Sequence, residues 1–380
     1  MRLKKDNWLN IQFGKCVDHI EKNETNTVLR AQARYVSVEN IETGKLRIGS
    51  WITEEMPTFF RTFKSGQILF GKRRAYQRKV AVADFDGICS PHIWALVAKD
   101  GLTQELLPFI MLTDKFYEYV NANSAGTMSV YLKWPQLAKY SFILPALAEQ
   151  KQIAALFQTI ESTIELVEGQ EKSLKALQKS LINGLLDQKP VFGNLLNSKN
   201  CTLTCFGEIA ECDKRNPNHK NEVTRFIGLE FIETDNFQLQ GWGEISNGTT
   251  FTKRFETGDV LFGKRRAYLK KVAVADFDGI CSGDILVIRA KPKVMLQNIL
   301  PYYLSADAFI QHAVSTSAGS LSPRTKWKDL AALEVSMPDL ETQGKILEVL
   351  QHMSKIIIQL KQQMTDLRIL KQKLLNEILG

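Results

Sequence analysis

Residues 66–90 read GQILFGKRRAYQRKVAVADFDGICS, and residues 258–282 read GDVLFGKRRAYLKKVAVADFDGICS. The two stretches agree at 21 of 25 positions, at an offset of 192 residues. So dense a match is an internal repeat, and it sets the architecture before any site is named. The correspondence spreads outward. Phe13-Gly14 matches Phe206-Gly207, and Arg34-Tyr35, Glu39 and Ile41-Glu42-Thr43 match Arg225-Phe226, Glu230 and Ile232-Glu233-Thr234. Ser124-Ala125-Gly126-Thr127 matches Ser317-Ala318-Gly319-Ser320, and Trp134 and Leu137 match Trp327 and Leu330. Even Leu181-Ile182-Asn183 falls at the place of Leu374-Leu375-Asn376. The offset is about half the chain, so a whole unit is duplicated. Solenoid periods are far shorter, about 20–50 residues.

A chain of 380 residues is long enough for two or three domains with proper cores. Its 44% hydrophobic and 24% charged residues are ordinary globular values. The net charge of +8 and a pI near 9.0 lean toward an anionic partner. The opening MRLKKDNW lacks the apolar core of a signal peptide. No apolar run reaches the roughly 18 residues of a membrane span, so a cytoplasmic protein that avoids membranes is expected. Cys89 and Cys281 hold equivalent places in apolar strands and read as small core residues. Cys201, Cys205 and Cys212 lack the paired spacing of a zinc site, so no metal is expected.

Each repeat has two parts. The first, 1–145 and again 200–338, mixes short strand patterns with turns and helical segments, which predicts an α+β module. Lys79 to Ala83 alternates as a strand, and Asp86-Gly87 reads as a hairpin turn leading to Ile88 and then to Ile93–Val97. Residues 104–120 and 296–314 read as helical. The second part, 146–188 and 339–380, is a long helix, with 189–199 as linker. Pro145 and Pro338 each precede an acidic first turn, a good helix start.

Heptads follow these starts. In the first helix Ile153, Ile160, Val167, Leu174 and Leu181 lead, with Leu156, Thr163, Gln170 and Leu177 as partners. In the second, Ile346, Leu350, Met353, Ile357, Leu360, Met364, Leu367, Leu374 and Ile378 keep alternating spacing, with a lapse at Lys371. Two helices buried separately on their own modules would give the same amphipathicity. Length favours a coiled coil, since roughly 40 residues make a rod of about 60 Å. Chain direction then requires an antiparallel pair with the modules at opposite ends and a pseudo-two-fold axis.

The repeated stretch packs Lys72, Arg73 and Arg74 beside Tyr76, and Arg78 and Lys79 add charge. Lys264, Arg265, Arg266, Tyr268, Lys270 and Lys271 repeat the pattern. An extended segment would put Lys72, Arg74 and Tyr76 on one face and Arg73 on the other. Clustered cations with an interleaved aromatic suit phosphate contact plus stacking or base-edge contact. The plain alternative is a solvated strand edge whose charges deter aggregation. Ser124, Thr127, Ser317 and Ser320 read either as backbone-contacting loops or as ordinary turns. An identical stretch cannot distinguish two targets, so discrimination is expected from segments that diverge: 20–33 against 213–224, and 50–62 against 243–254.

Enzyme motifs fail in turn. Gly66-x4-Gly71-Lys72 and its copy mimic a P-loop, but Arg follows in place of Ser or Thr, and Ile68-Leu69-Phe70 is a strand. Asp84-Phe85-Asp86-Gly87 has the wrong order for a kinase metal motif, although a nuclease using Asp84, Asp86 and Lys79 stays open. No Asn-Pro-Pro-aromatic methyltransferase motif occurs, and Asn216-Pro217-Asn218 is not one. His19, His92, His219, His312 and His352 pair with no nucleophile at a recognisable spacing. No catalytic residue is assigned.

Two basic α+β modules alternating with two long helices resemble the DNA-specificity (S) subunit of type I restriction–modification enzymes. The likeness covers nearly the whole chain. Its most specific marks are Leu-Phe-Gly-Lys-Arg-Arg-Ala-Tyr continuing to Asp-Phe-Asp-Gly-Ile-Cys-Ser, Ser-Ala-Gly-[Thr/Ser] before a Trp, and Pro-x-Leu-x-x-Gln opening each helix (Pro145 to Gln150, Pro338 to Gln343). The resemblance implies two target recognition domains, each reading half of an interrupted double-stranded DNA site. It implies helices that space those domains and bind two methyltransferase (M) subunits. Catalysis then belongs to other chains: M methylates adenine with S-adenosylmethionine, and a restriction (R) subunit uses ATP and Mg. The chain itself is expected to be non-catalytic and to hold no cofactor. Outside this class stand a DNA-binding scaffold without a methyltransferase and the metal-dependent nuclease.

Overall fold

The computed structural model describes residues 5–53, 58–99, 101–126, 130–186, 196, 200–213 and 223–380. The chain divides into two compact units, Met1–Gly169 with Leu360–Gly380, and Gln170–Gln359. Each unit therefore holds one globular module, the start of the long helix that follows it, and the end of the other long helix.

In the first unit the apolar run of the repeated stretch forms the strand Ile68–Gly71. It lies antiparallel between Ile93–Ala98 and Val80–Val82, with Val17–Ile20 beyond Ile93–Ala98. Side chains alternate across a strand. Ile68 and Phe70 join a core shared with helices, while Leu69 joins Ala81 and Ala95 against a second sheet. Burial on both faces is why the run is apolar throughout. The second sheet orders Tyr35–Val36, Gly87–Cys89 and Arg61–Phe63, and a separate pair, Leu9–Gln12 with Ser141–Leu144, closes the module. The second unit repeats this with Val260–Gly263 between Val272–Val274 and Ile285–Ala290. Its second sheet gains Gly243–Glu244 beside Arg225–Ile227.

Asp86-Gly87 is not the hairpin turn its dipeptide predicts. Val80–Val82 pairs with Ile68–Gly71, whereas Gly87–Cys89 pairs with Tyr35–Val36 and Arg61–Phe63, so the chain crosses between sheets here. Glycine is needed for close approach. A Cβ on Gly87 would lie 2.6 Å from Phe63 Cζ and 2.7 Å from the Arg34 carbonyl oxygen. At Gly279 the corresponding distances are 2.7 Å to Phe255 Cζ and 2.8 Å to the Arg225 carbonyl. Asp86 accepts the Ser65 N–H at 2.8 Å and pairs with Lys64, and Asp278 accepts the N–H and hydroxyl of Thr257. Cys89 and Cys281 are buried thiols, each pushed up to about 12 by desolvation.

The helical segments are also more broken than expected. Residues 104–120 resolve into Leu107–Ile110 and Asp114–Asn123, because the Thr113 hydroxyl caps a fresh start by accepting the Phe116 N–H. Residues 296–314 divide into a turn and the helices Leu300–Ser305 and Asp307–Ser315.

The long helices run Leu147–Gly184 and Leu340–Leu379. Gln150 and Gln343, both buried, explain the shared helix opening. Gln150 accepts the Thr103 N–H and donates to the Gly101 and Pro145 carbonyls. Gln343 does the same with Leu296, Val294 and Pro338. The leading heptad positions of the first helix are at least partly buried as read, but their partners are shifted by one residue. Leu156 and Leu177 are exposed, and the seam uses Phe157, Ile164, Gln178 and Leu185 instead. A polar residue on the seam, Gln178, hid the register. In the first unit the helices are antiparallel, with Ile153 and Phe157 in one core with Leu375 and Ile378, and Glu161 paired to Lys371. In the second, Gln178 donates to Ser354 Oγ at 2.7 Å. Lys371, the lapse in the second heptad series, is thus a buried, paired seam residue. The linker at 189–199 lies outside the described residues except for Leu196, which packs on the core of the second unit.

Candidate nucleic-acid interface

The basic run leaves its strand at Gly71 and does not stay extended. Arg74 and Arg78 are left-handed at φ 52° and 54°, and they bracket a 3-10 turn at Ala75–Gln77. Arg266 and Lys270 repeat this at φ 52° and 49° around Ala267–Leu269. Lys72, Arg74 and Tyr76 therefore share no strand face. Among the described residues these are four of the five non-glycine residues with positive φ. Each such residue costs on the order of 1–3 kcal/mol and persists only where its surroundings hold it, most often at functional sites.

The surroundings that hold it are the Ser-Ala-Gly segment and the residues around Tyr131 and Arg324 that bridge to it. The Lys72 N–H donates to the His92 carbonyl (2.9 Å), the Lys72 carbonyl accepts the Leu132 N–H (3.0 Å), and the Arg74 N–H donates to the Val130 carbonyl (2.7 Å). Ala125 and Tyr131 exchange two bonds of 3.0 Å, which closes the Ser-Ala-Gly loop onto the same strip. In the second unit Lys264 pairs with Asp284 and Thr325, Arg266 with Pro323, and Ala318 with Arg324. Two segments distant in sequence thus form one surface. The hydroxyls of Ser124 and Ser317 do not face outward. Each donates to the carbonyl four residues back, Val120 and Ala313, at 2.7 Å. Ser320 is exposed, and Thr127 lies outside the described residues.

The cations of the stretch sort by what holds them. Arg74 and Arg266 are exposed, as are Tyr76 (54%) and Tyr268 (53%), and none has a side-chain partner among the described residues. Arg78 donates to Asp114 and Lys270 to Asp307. Lys79 Nζ donates to the Val38 carbonyl (2.8 Å) and Lys271 Nζ to that of Leu229 (2.6 Å). Lys72 is half-buried over the Trp94 ring, and desolvation, with Arg61 nearby, lowers its pKa. Arg73 Nη1 lies 3.4 Å from His92 Nε2, whose own pKa is lowered by burial and then by Arg73 and Lys72. Arg265 donates to Ser322 Oγ at 2.8 Å and lies 3.5 Å from Asp284. Beside the first loop is a cavity of about 420 Å³ lined by Glu39, Arg73, Arg74, Gln77, Lys79 and His92. Of the residues a nuclease would use, Asp86 and Lys79 are engaged within the fold, whereas Asp84 is exposed.

Two features escaped the sequence. An arginine stacks on two rings in each unit: Arg34 on Trp51 and Phe85, and Arg225 on Trp242 and Phe277. Trp51 lies in one of the divergent segments, but much of 213–224 and part of 50–62 fall outside the described residues. The other feature is the pair framing each basic loop, His92 with Tyr131 and Asp284 with Arg324. The available signal was divergence at equivalent positions beside an invariant run.

Residues 32–176 and 199–367 match the family model described as the type I restriction modification DNA specificity domain. The type I restriction enzyme EcoDI specificity subunit of Escherichia coli is 24% identical over 286 residues. That alignment spans 64% of this chain and 63% of that protein, less than two thirds of its length. Among solved structures, the S subunit of the type I restriction-modification system from M. genitalium is 13% identical with a TM-score of 0.62, covering 100% of this chain and 98% of that one. A chain from a structure on complex assembly and conformational transition of the type I R-M system is 18% identical with a TM-score of 0.58, covering 99% and 98%. At these identities the two structures show a shared fold. Among the described residues no helix is long and apolar enough to cross a membrane.

Proposed function

The chain belongs to the type I restriction modification DNA specificity family, and from that premise we propose that it reads a bipartite, interrupted site on double-stranded DNA. The observation that carries the reading is the duplicated loop. Each copy holds a strained backbone that presents an arginine and a tyrosine with no side-chain partner among the described residues, on a surface built from two segments. Arg74, Tyr76, Arg266 and Tyr268 are the first contacts with phosphate or with a base common to both halves. Lys72, Arg73, Lys264 and Arg265 stand behind them. Arg78, Lys79, Lys270 and Lys271 contribute charge from positions fixed within the fold. Ser320 contacts the DNA backbone, as does the loop that Ser124 and Ser317 anchor.

The chain is non-catalytic in this reading. It directs two methyltransferase subunits, and restriction subunits with them, to the site. S-adenosylmethionine, ATP and Mg are bound by those partners, and the assembly works in the cytoplasm. The test is genome-wide adenine methylation in cells carrying this chain with its neighbouring methyltransferase, compared with cells lacking this chain only. A two-part motif that disappears with the chain is the expected result. Unchanged methylation would remove the reading and move a scaffold role ahead.

A further inference from the structure

We infer that Arg324, held by Asp284, reads a guanine in the half-site met by the second unit, and that His92 and Tyr131 replace this reader in the first unit. The inference rests on the DNA-reading function proposed above.

The two basic loops are identical from Leu69 to Tyr76 and from Leu261 to Tyr268, and they adopt the same left-handed turns. Alone they would present the same chemistry to both half-sites. What differs is the pair of residues framing them, and backbone bonds fix the correspondence. The Lys72 N–H meets the His92 carbonyl as the Lys264 N–H meets that of Asp284, both at 2.9 Å. The His92 N–H donates to Ser90 Oγ as the Asp284 N–H does to Ser282 Oγ. Tyr131 bridges Ala125 and Arg73 as Arg324 bridges Ala318 and Arg265. His92 therefore stands where Asp284 stands, and Tyr131 where Arg324 stands.

In the second unit Arg324 Nε donates to Asp284 Oδ1 at 2.6 Å and Nη2 to Oδ2 at 3.1 Å. The hydrogen bond from Arg324, ahead of opposing desolvation, holds the Asp284 carboxyl below the usual range. This fork uses one edge of a planar guanidinium and locks its orientation. On the edge formed by Nη1 and Nη2, Nη1 also makes a long 3.5 Å bond to the Ser322 carbonyl, which leaves each nitrogen one N–H, and the Arg324 side chain is 47% exposed. Two parallel donors in a fixed plane match O6 and N7 of guanine in the major groove. Asp284 also draws Arg265 toward itself, so the carboxylate sets both guanidiniums beside the loop. In the first unit that position carries an imidazole, and Tyr131 offers an exposed ring and hydroxyl with Lys133 Nζ 5.9 Å from the ring centre. A hydroxyl and a ring face make no demand for guanine.

The test uses the full chain assembled with its methyltransferase subunits. Affinity is measured by competition on duplexes in which each base pair of both half-sites is changed in turn. The wild-type assembly is expected to lose about 10- to 100-fold in affinity when one G·C pair of one half-site is replaced. Arg324→Lys keeps the charge but not the fork, and Asp284→Asn keeps the shape but not the anchor. Each should reduce that preference to about threefold or less while other positions keep theirs. The double substitution His92→Asp with Tyr131→Arg should add a guanine preference to the other half-site. The inference is overturned if both single variants keep every wild-type preference. It is equally overturned if they weaken binding to all sequences alike, which is the mark of a phosphate contact. A wild-type assembly with no two-part preference would instead remove the proposed function itself.

Discussion

Asn376, near the end of the second long helix, holds Asp114 by two hydrogen bonds. Its Nδ2 donates to Asp114 Oδ2 at 2.6 Å, and its Oδ1 accepts the Asp114 N–H at 2.9 Å. The other carboxylate oxygen accepts Arg78 Nη1 at 2.6 Å. In the second unit Asn183 holds Asp307 in the same way, and Asp307 holds Lys270. The cation that closes each basic loop is therefore tied, through one aspartate, to the end of a long helix. Removing the amide with Asn376→Ala should cost the first unit about 1–2 kcal/mol, allowing for the partial exposure of the pair. Amide hydrogen exchange should quicken at Ala75–Arg78. Unchanged protection there would show that the loop does not depend on the helix.

The same network has a pH dependence. Lys270 above all, against desolvation and helped by Asn183, holds the Asp307 carboxyl below its ordinary 3.8. Desolvation pushes Asp114 up, but Arg78 and Asn376 outweigh it, so this carboxyl too lies below 3.8. A depressed folded-state value contributes stability that is complete above the unfolded value and lost as pH falls through the folded one. The difference in urea midpoint between wild type and Asn183→Ala should stay constant over about pH 5–8 and narrow below about pH 4. A difference that grows on acidification would contradict this sign.

Charge in the basic stretch divides into contacts with DNA and contacts within the fold. Arg74→Ala and Arg266→Ala should each lower the slope of log binding constant against log salt by about one unit, and weaken binding to all sequences together. Lys79→Ala and Lys271→Ala should lower that slope by less than about half a unit, because those ammoniums keep their charge but are held on the Val38 and Leu229 carbonyls away from direct phosphate contact. They should instead lower the melting temperature. Equal slopes for Arg74→Ala and wild type would take this arginine off the DNA.

Lys371 and Glu161 form a pair in the helix seam, with side chains only 8% and 15% exposed. Lys371→Leu alone leaves a buried carboxylate and should destabilise the first unit by roughly 3–5 kcal/mol. Lys371→Leu combined with Glu161→Leu should be close to neutral, because desolvating two charges offsets most of their attraction. Chemical denaturation of the three chains decides it. The equivalent places in the second unit hold Gln178 and Ser354, so polarity at this layer is repeated while charge is not.

Gly87→Ala should destabilise by about 1–3 kcal/mol through overpacking, since the new methyl meets Phe63 and the Arg34 carbonyl. Gly279→Ala should behave alike against Phe255 and Arg225. A thermal melt unchanged in both would mean that Phe63 and Phe255 can shift aside at no cost.

By itself the sequence determined the duplication, the α+β modules, the two long helices and the seam of the second helix. These depend on periodicity and identity along the chain, which a single strand of text carries. The apolar run Ile68-Leu69-Phe70 is legible as a strand because burial on both faces leaves no polar residue in it. Tertiary structure alone decided the partner positions of the first helix, because Gln178 sits in the seam and its burial depends on Ser354 across it. It decided that the basic stretch turns at Arg74, since the left-handed backbone is held by Val130 and Leu132 from another segment. It decided that Asp86-Gly87 is a crossing between sheets, because the glycine answers to Phe63 and to no local turn. It also separated exposed Arg74 from anchored Lys79 and brought Asp284 to Arg324. A hydrogen bond between residues distant in the chain leaves no period in the sequence, and only the folded chain shows which cation is already engaged.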